Sequence, residues 1–358
     1  MKKLTTKRKN YLRRRSKTEL KKKKRDRQFR LNKIGTNSYL NQLSFQRKNI
    51  AKENKKPGST IINLSPANTF SILESPNKVI AFIFRLKSYA KPNFSGYQLF
   101  IDLANVIQID IGAISLLLSA VEELAQYKIR VTGNIPDNKN CNEIFIESGY
   151  LAHMNSLSSN LLKLQNNTKN SIIKKGRDTT RNSEVGKSIQ SAMEMLTGTK
   201  KHYQPVYSIV QEISGNSVEH AYQRNSREHW VFSVNHNESE NKIIFTFADN
   251  GSGILKTLRR KLTQQFFDGL GLKNDAAILN GAYLKNYESR HIGQINRNKG
   301  LPLLRRIQEN NEVKNLFVLT NRVLLFLDSK KSISINRNFS GTFYYWELDL
   351  DCIQNGTN

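Results

Sequence analysis

The reading of this chain turns on two runs. The first is Gln211-Glu212-Ile213-Ser214-Gly215-Asn216-Ser217-Val218-Glu219-His220-Ala221-Tyr222; the second, one hairpin later, is Ala248-Asp249-Asn250-Gly251-Ser252-Gly253-Ile254. In the first, Glu212, Asn216 and His220 recur every four residues. On a helix of 3.6 residues per turn they stack along one face and point at one place. Val206, Ile209, Val210 and Ile213 give the same helix, predicted from Pro205 to Tyr222, its apolar stripe. In the second run an acid ends a predicted strand, Ile243 to Ala248, where two glycines allow backbone conformations closed to other residues.

These residue types suit a nucleotide. The oxygen of Asn216 is a hard neutral ligand for Mg²⁺, an ion held by few protein groups together with substrate phosphates. Glu212, one turn earlier, can hold or deprotonate a water, and His220, one turn later, can meet a phosphate. Asp249 can accept a hydrogen bond from an exocyclic amine such as that of adenine, with Gly251 and Gly253 letting main chain approach the base. Each fragment alone also fits a turn or a solvated helix face.

Together the two runs resemble the N box and first glycine box of the Bergerat-fold (GHKL) ATPases, the superfamily that includes the histidine kinases and the anti-sigma-factor serine kinases. Two further pieces follow in the order of that family. Asn298-Lys299-Gly300-Leu301-Pro302-Leu303 resembles the second glycine box, and Ser340-Gly341-Thr342-Phe343 the last glycine-threonine element. Asn298 stands where the family usually has another glycine.

The resemblance spans roughly residues 185 to 350 and implies ATP and Mg²⁺ as ligands. It implies Asn216 as the metal ligand, Glu212 as the catalytic base, and His220, Asp249, Gly251, Gly253, Ile254, Gly300, Leu301 and Thr342 around the nucleotide. It also implies a predicted helix from Leu301 to Glu309 whose N-terminus faces the phosphates, and a lid over 254–298 from which Arg290 and Arg297 are candidates to reach them. None of the six histidines lies in an acid-flanked autokinase motif.

Composition sets the frame around this site. The chain has 358 residues, 38% of them hydrophobic, and a formal net charge of +28. Residues 1–56 hold 22 Lys and Arg against three acids, a net +19. The segment 1–59, with Arg13-Arg14-Arg15 and Lys21-Lys22-Lys23-Lys24-Arg25, reads as a disordered basic arm. Its expected partners are phosphate polyanions, RNA or DNA, or else an acidic protein. Two distant cysteines, Cys141 and Cys352, suggest neither a zinc site nor a disulfide, and point to a cytoplasmic setting. No apolar signal segment follows the arm, and the longest apolar stretch, Ala113 to Val121, is too short to span a bilayer.

Residues 60–155 alternate predicted strands and helices: a strand over Gln98 to Ala104, a short extended turn over Ile107 to Asp110, a helix over Ile114 to Tyr127, a strand over Lys128 to Thr132, and a helix over Cys141 to Ser148 stopped by Gly149. The order resembles the STAS domain of anti-sigma-factor antagonists. The phosphoacceptor hydroxyl of that family is missing from Asp110-Ile111-Gly112-Ala113, and Ser115 lies further into the helix. This part is read as a docking or dimerising module, followed by a linker over 156–185.

The expected architecture is therefore a two-domain α/β chain. A small STAS-like layer precedes a Bergerat-fold sandwich over 186–358, in which a mixed sheet carries helices on one face. The expected function is that of a Mg-ATP-binding regulatory protein whose partner contact is switched by nucleotide. Alternatives are a serine/threonine kinase of anti-sigma-factor type and an ATP-gated nucleic-acid-binding effector. Expected partners are an adenine nucleotide, a further protein, nucleic acid through the arm and a second copy of the chain, with no membrane.

Overall fold

Alternation along the strands decides the layering. In Trp230–Asn237 and Lys242–Asp249, Trp230, Phe232, Val234, Ile243, Phe245 and Phe247 join one buried cluster, while the residues between them turn to the opposite face. Both faces are buried, so this sheet needs a layer on each side.

A computed structural model describes residues 61–153, 171–176, 180–220, 229–261, 274–284, 300–329 and 331–356. The basic arm predicted over 1–59 lies outside them.

The first part of the described chain contains strands β1 (Ile61–Leu64) and β2 (Thr69–Phe70), helix α1 (Pro76–Lys87), β3 (Gln98–Ile101), β4 (Gln108–Ile109), α2 (Ile111–Gln126), β5 (Arg130–Gly133) and α3 (Lys139–Glu147). A parallel three-stranded sheet runs β1-β3-β5, and β2 pairs β4, also in parallel. Asp110 caps α2, its Oδ1 accepting the Ala113 amide at 2.7 Å, and Asn138 caps α3 in the same way on Cys141. Gly149 follows α3 at φ +74°, the left-handed conformation its stop requires.

The second part contains β6 (Ser171–Gly176), α4 (Asn182–Thr197), α5 (Gln204–His220), β7 (Trp230–Asn237), β8 (Lys242–Asp249), α6 (Ile254–Lys261), α7 (Asp275–Tyr283), α8 (Gly300–Glu309), β9 (Lys314–Phe326), β10 (Ser332–Leu348) and α9 (Leu350–Asn355). Its sheet has the order β6-β7-β8-β10-β9 and is antiparallel throughout. Helices α4, α5, α7 and α8 bury their apolar stripes on one face, against Phe245 and Trp346, whose rings stack 5.4 Å apart. Burying a side chain of this size contributes about 2–3 kcal/mol.

Helices α1 and α2 cover the other face. Ser115 of α2 meets Ser233 of β7 at 3.2 Å and Thr246 of β8 at 2.9 Å, a buried set of hydroxyls. Asn77 of α1 clasps β10, donating to the Ser334 carbonyl and accepting the Asn336 amide.

The α/β class stands, and several finer expectations change. Parallel and antiparallel pairing occur in separate sheets, so the sheet expected to be mixed within itself is wholly antiparallel. Its second face is closed by helices from the part read as a separate domain, and residues 61–358 make one compact unit. The reading of 156–185 as linker missed β6 and the start of α4. Strand β9 runs unbroken from Lys314 to Phe326, with Asn321 at φ +52° inside it. The 254–298 region supplies α6 and α7, whose Leu255, Ile278, Leu279 and Tyr283 are core residues. Among the described residues no helix is long and apolar enough to cross a membrane.

Candidate functional site

The row of side chains that β8 turns toward α5 is apolar at Ile243, Phe245 and Phe247 and ends on a carboxylate, Asp249. Asp249 lies opposite Trp230 of β7 and Thr342 of β10, and Thr342 lies opposite Thr320 of β9. The acid therefore stands at one end of the helix-covered face, buried, in a row that crosses four strands.

Three donors hold it. Oδ1 accepts the amides of Gly251 at 2.9 Å and Thr342 at 3.1 Å, and Oδ2 accepts the Ser217 hydroxyl at 3.1 Å. Burial pushes the Asp249 carboxyl above the ordinary aspartate value of 3.8; the three donors and the more distant Lys87 charge oppose that rise. An ionised carboxylate has about four acceptor positions. Donors from the described residues take three of them.

The loop after Asp249 is fixed on both sides. Asn250 clasps His229, accepting its amide at 2.7 Å and donating its own amide to the His229 carbonyl. Asn321 donates from Nδ2 to the Ser252 carbonyl at 3.1 Å. Gly253 has φ +83°, and a Cβ there would collide with Thr320 and Asn321. The first amides of α6 are also used: Ile254 donates to Thr320 Oγ1 at 2.9 Å and Lys256 to Asn321 Oδ1 at 3.3 Å. Strand β9 thus caps α6.

Helix α5 reaches the same end through its last turn. Ser217 lies one turn beyond the buried Ile213, on the core-facing stripe, and this orients its hydroxyl onto Asp249. Glu212 and Asn216 occupy the neighbouring stripe and are half-buried. The Glu212 carboxylate rests against Gly300, the first residue of α8, so closely that a Cβ at Gly300 would overlap Glu212 Oε2. Desolvation raises the Glu212 carboxyl above its ordinary 4.5. A glutamate poised in this way is a better proton acceptor than an exposed one.

Of the residues predicted from sequence, the structure brings Asp249, Gly251, Gly253 and Thr342 together and sets Glu212 against Gly300. It joins the two groups through α5. Ile254 and Leu301 pack partly buried against the core at the starts of α6 and α8. His220 ends α5, but its side chain lies outside the described residues, as do Arg290, Arg297 and Asn298.

Sequence reasoning missed Ser217, Thr320 and Asn321. Ser217 was visible as a hydroxyl continuing the stripe of Ile209, Ile213 and their neighbours. Thr320 and Asn321 carry no local pattern, because their role comes from strand register. The chain matches no protein-family model, and no curated protein matches it.

Proposed function

We propose that the chain is a regulatory protein that binds adenine nucleotide with Mg²⁺ at the open end of the antiparallel sheet and switches its contact with a partner accordingly. The observation that carries this reading is the convergence of four separate sequence elements. Asp249 is bonded to the glycine loop, to the glycine-threonine segment and to the N-box helix at once, while Glu212 of that helix abuts the first residue of α8.

The residues fit the ligand. Asp249 offers an acceptor position to an exocyclic amine, and a Cβ added at Gly251 would meet the Asp249 carboxylate at 3.1 Å, so glycine keeps that position clear. The start of α8 suits phosphate, since backbone amides and the helix dipole there favour negative charge. Asn216, half-buried on α5 between Glu212 and His220 in sequence, is the residue that would hold Mg²⁺ together with phosphate oxygens. The metal would supply charge neutralisation at those phosphates. Glu212 would hold a water or a substrate hydroxyl and take its proton.

In this reading the sheet with α4, α5, α7 and α8 is a Bergerat-type domain and the α1–α2 part a STAS-like layer. The burial of Ser115 among Ser233 and Thr246 agrees with a layer used for packing rather than for phosphorylation.

The test is thermal unfolding of the full chain with ATP, with and without Mg²⁺, beside Asn216→Ala. Saturation at about a hundred times Kd stabilises by about 2.7 kcal/mol, which raises the melting temperature measurably. Asn216→Ala should lose the Mg²⁺-dependent part of that rise. An equal rise in both proteins would remove Asn216 from the site, and no rise in either would refute the reading.

A further inference from the structure

Lys87, the last residue of α1, lies on the layer opposite the N-box helix, yet its side chain is only 9% exposed. Its ammonium faces Glu123 of α2 at 3.0 Å, donates to the Ser340 carbonyl of β10 at 3.1 Å and stands 5.0 Å from the centre of the Phe339 ring. A cation is withdrawn from water this far only when its partners compensate. The partners here are significant because of where Ser340 lies.

Strand β10 shifts register between Phe339 and Thr342. A bulge of this kind leaves a main-chain group without its ladder partner. The Ser340 carbonyl to which Lys87 donates lies inside this irregularity. Ser340 and the two residues after it lead directly to Asp249. Ser340 Oγ donates to the Gly251 carbonyl at 3.3 Å. Gly341, at φ +112°, lies so close to the Asp249 carbonyl that a Cβ would overlap it. Thr342 donates its amide to Asp249 Oδ1.

A second tie from the same layer reaches the other flank. Gln126 at the end of α2 meets His229 Nδ1 at 2.8 Å, and His229 is clasped by Asn250.

We propose that Lys87 is a positioning residue of the nucleotide site. From the α1–α2 layer it fixes the bulge at Ser340 and Gly341, and through it the orientation of the Asp249 carboxylate and the Gly251 loop. Anything that displaces α1 or α2 then changes nucleotide affinity without touching the nucleotide. The regulatory part rests on the nucleotide reading above; the positioning of Asp249 does not.

The experiment compares full-length wild type, Lys87→Met and Lys87→Arg. It reads ATP affinity by calorimetry, amide exchange at Gly251 and Thr342, and global unfolding. Lys87→Met keeps the aliphatic stem and removes the donor and the charge. The expected result is ATP binding about tenfold weaker, the scale of one lost charge-assisted hydrogen bond, with faster exchange at both amides and recovery in Lys87→Arg.

If Lys87→Met melts earlier but binds ATP as the wild type does and keeps the slow exchange, Lys87 only joins the layers and the proposal is overturned. If Lys87→Met does not fold, Glu123→Gln replaces it; weaker binding and faster exchange in that variant support the proposal, and wild-type values overturn it. If the wild type binds no adenine nucleotide, the nucleotide reading fails, and exchange at Gly251 and Thr342 alone decides whether Lys87 positions Asp249.

Discussion

Ser217 donates its hydroxyl to Asp249 across 3.1 Å, joining the last turn of helix α5 to the end of the central strand β8. The same hydroxyl also lies 2.9 Å from the Ile213 carbonyl, so its one proton is shared between two acceptors. Ser217→Ala removes a donor from a buried carboxylate. It should lower stability at neutral pH by about 1–3 kcal/mol. Urea unfolding at several pH values checks this, because the loss should shrink in acid, where a protonated Asp249 depends less on donors.

Asp249→Asn separates folding from recognition. The Asn oxygen can still accept the Gly251 and Thr342 amides, and its amide can face Ser217. Because burial raises the Asp249 pKa above 3.8, the folded state binds its proton more tightly than the unfolded one. The stability tied to that proton is fully present below 3.8 and is lost as pH rises through the folded value. The substitution removes that loss, so its gain over wild type should be largest at neutral pH and vanish below the ordinary aspartate range. The same variant presents a donor to the adenine amine and should weaken ATP binding at least tenfold to a hundredfold, roughly the cost of an unsatisfied buried donor.

Glu212→Gln tests the proton acceptor. It should retain ATP and lose any phosphate release or transfer. Desolvation holds the Glu212 carboxyl above 4.5, so in the wild type turnover should fall as pH drops through that raised value. A phosphate-release assay across acid to neutral pH reads both effects.

Gly341 and Gly198 make a matched pair. Both have positive φ, +112° and +73°, but a Cβ at Gly341 would overlap the Asp249 carbonyl while nothing lies within 4 Å of one at Gly198. Gly198→Ala, at the end of α4, should cost about 1 kcal/mol for the backbone alone and leave nucleotide affinity intact. Gly341→Ala adds displacement of the Asp249 backbone to a backbone cost of about 1–3 kcal/mol. It should weaken ATP binding as well as stability, which unfolding and calorimetry in parallel would separate.

Local pattern made the site's ends legible. The stripe of Val206, Ile209, Val210 and Ile213 announced α5, and the alternation through Ile243, Phe245 and Phe247 announced β8 with Asp249 at its tip. The link between them was less visible, because Ser217 looks like any helical serine until the stripe is extended by one turn.

The fold's outer layer was less legible still. Helix α1, with Val79, Ile80, Phe82, Ile83 and Leu86 buried, opens at a proline and was read only as globular chain. That α1 and α2 close the second face of the antiparallel sheet depends on contacts such as Lys87 with Ser340, about 250 residues apart. Helical and strand periodicity carry no information at that separation. Strand β6 was missed for a similar reason: flanked by polar chain, Ile172 and Ile173 signal a strand only through their pairing with β7.

The most direct measurement of the central claim is calorimetric titration of the full-length chain with Mg-ATP and, separately, with Mg-inosine triphosphate, which carries an oxygen in place of the exocyclic amine. If Asp249 accepts a hydrogen bond from that amine, ATP should bind and the inosine nucleotide should bind at least tenfold more weakly. Equal affinity for the two, or no heat with either, would contradict the account.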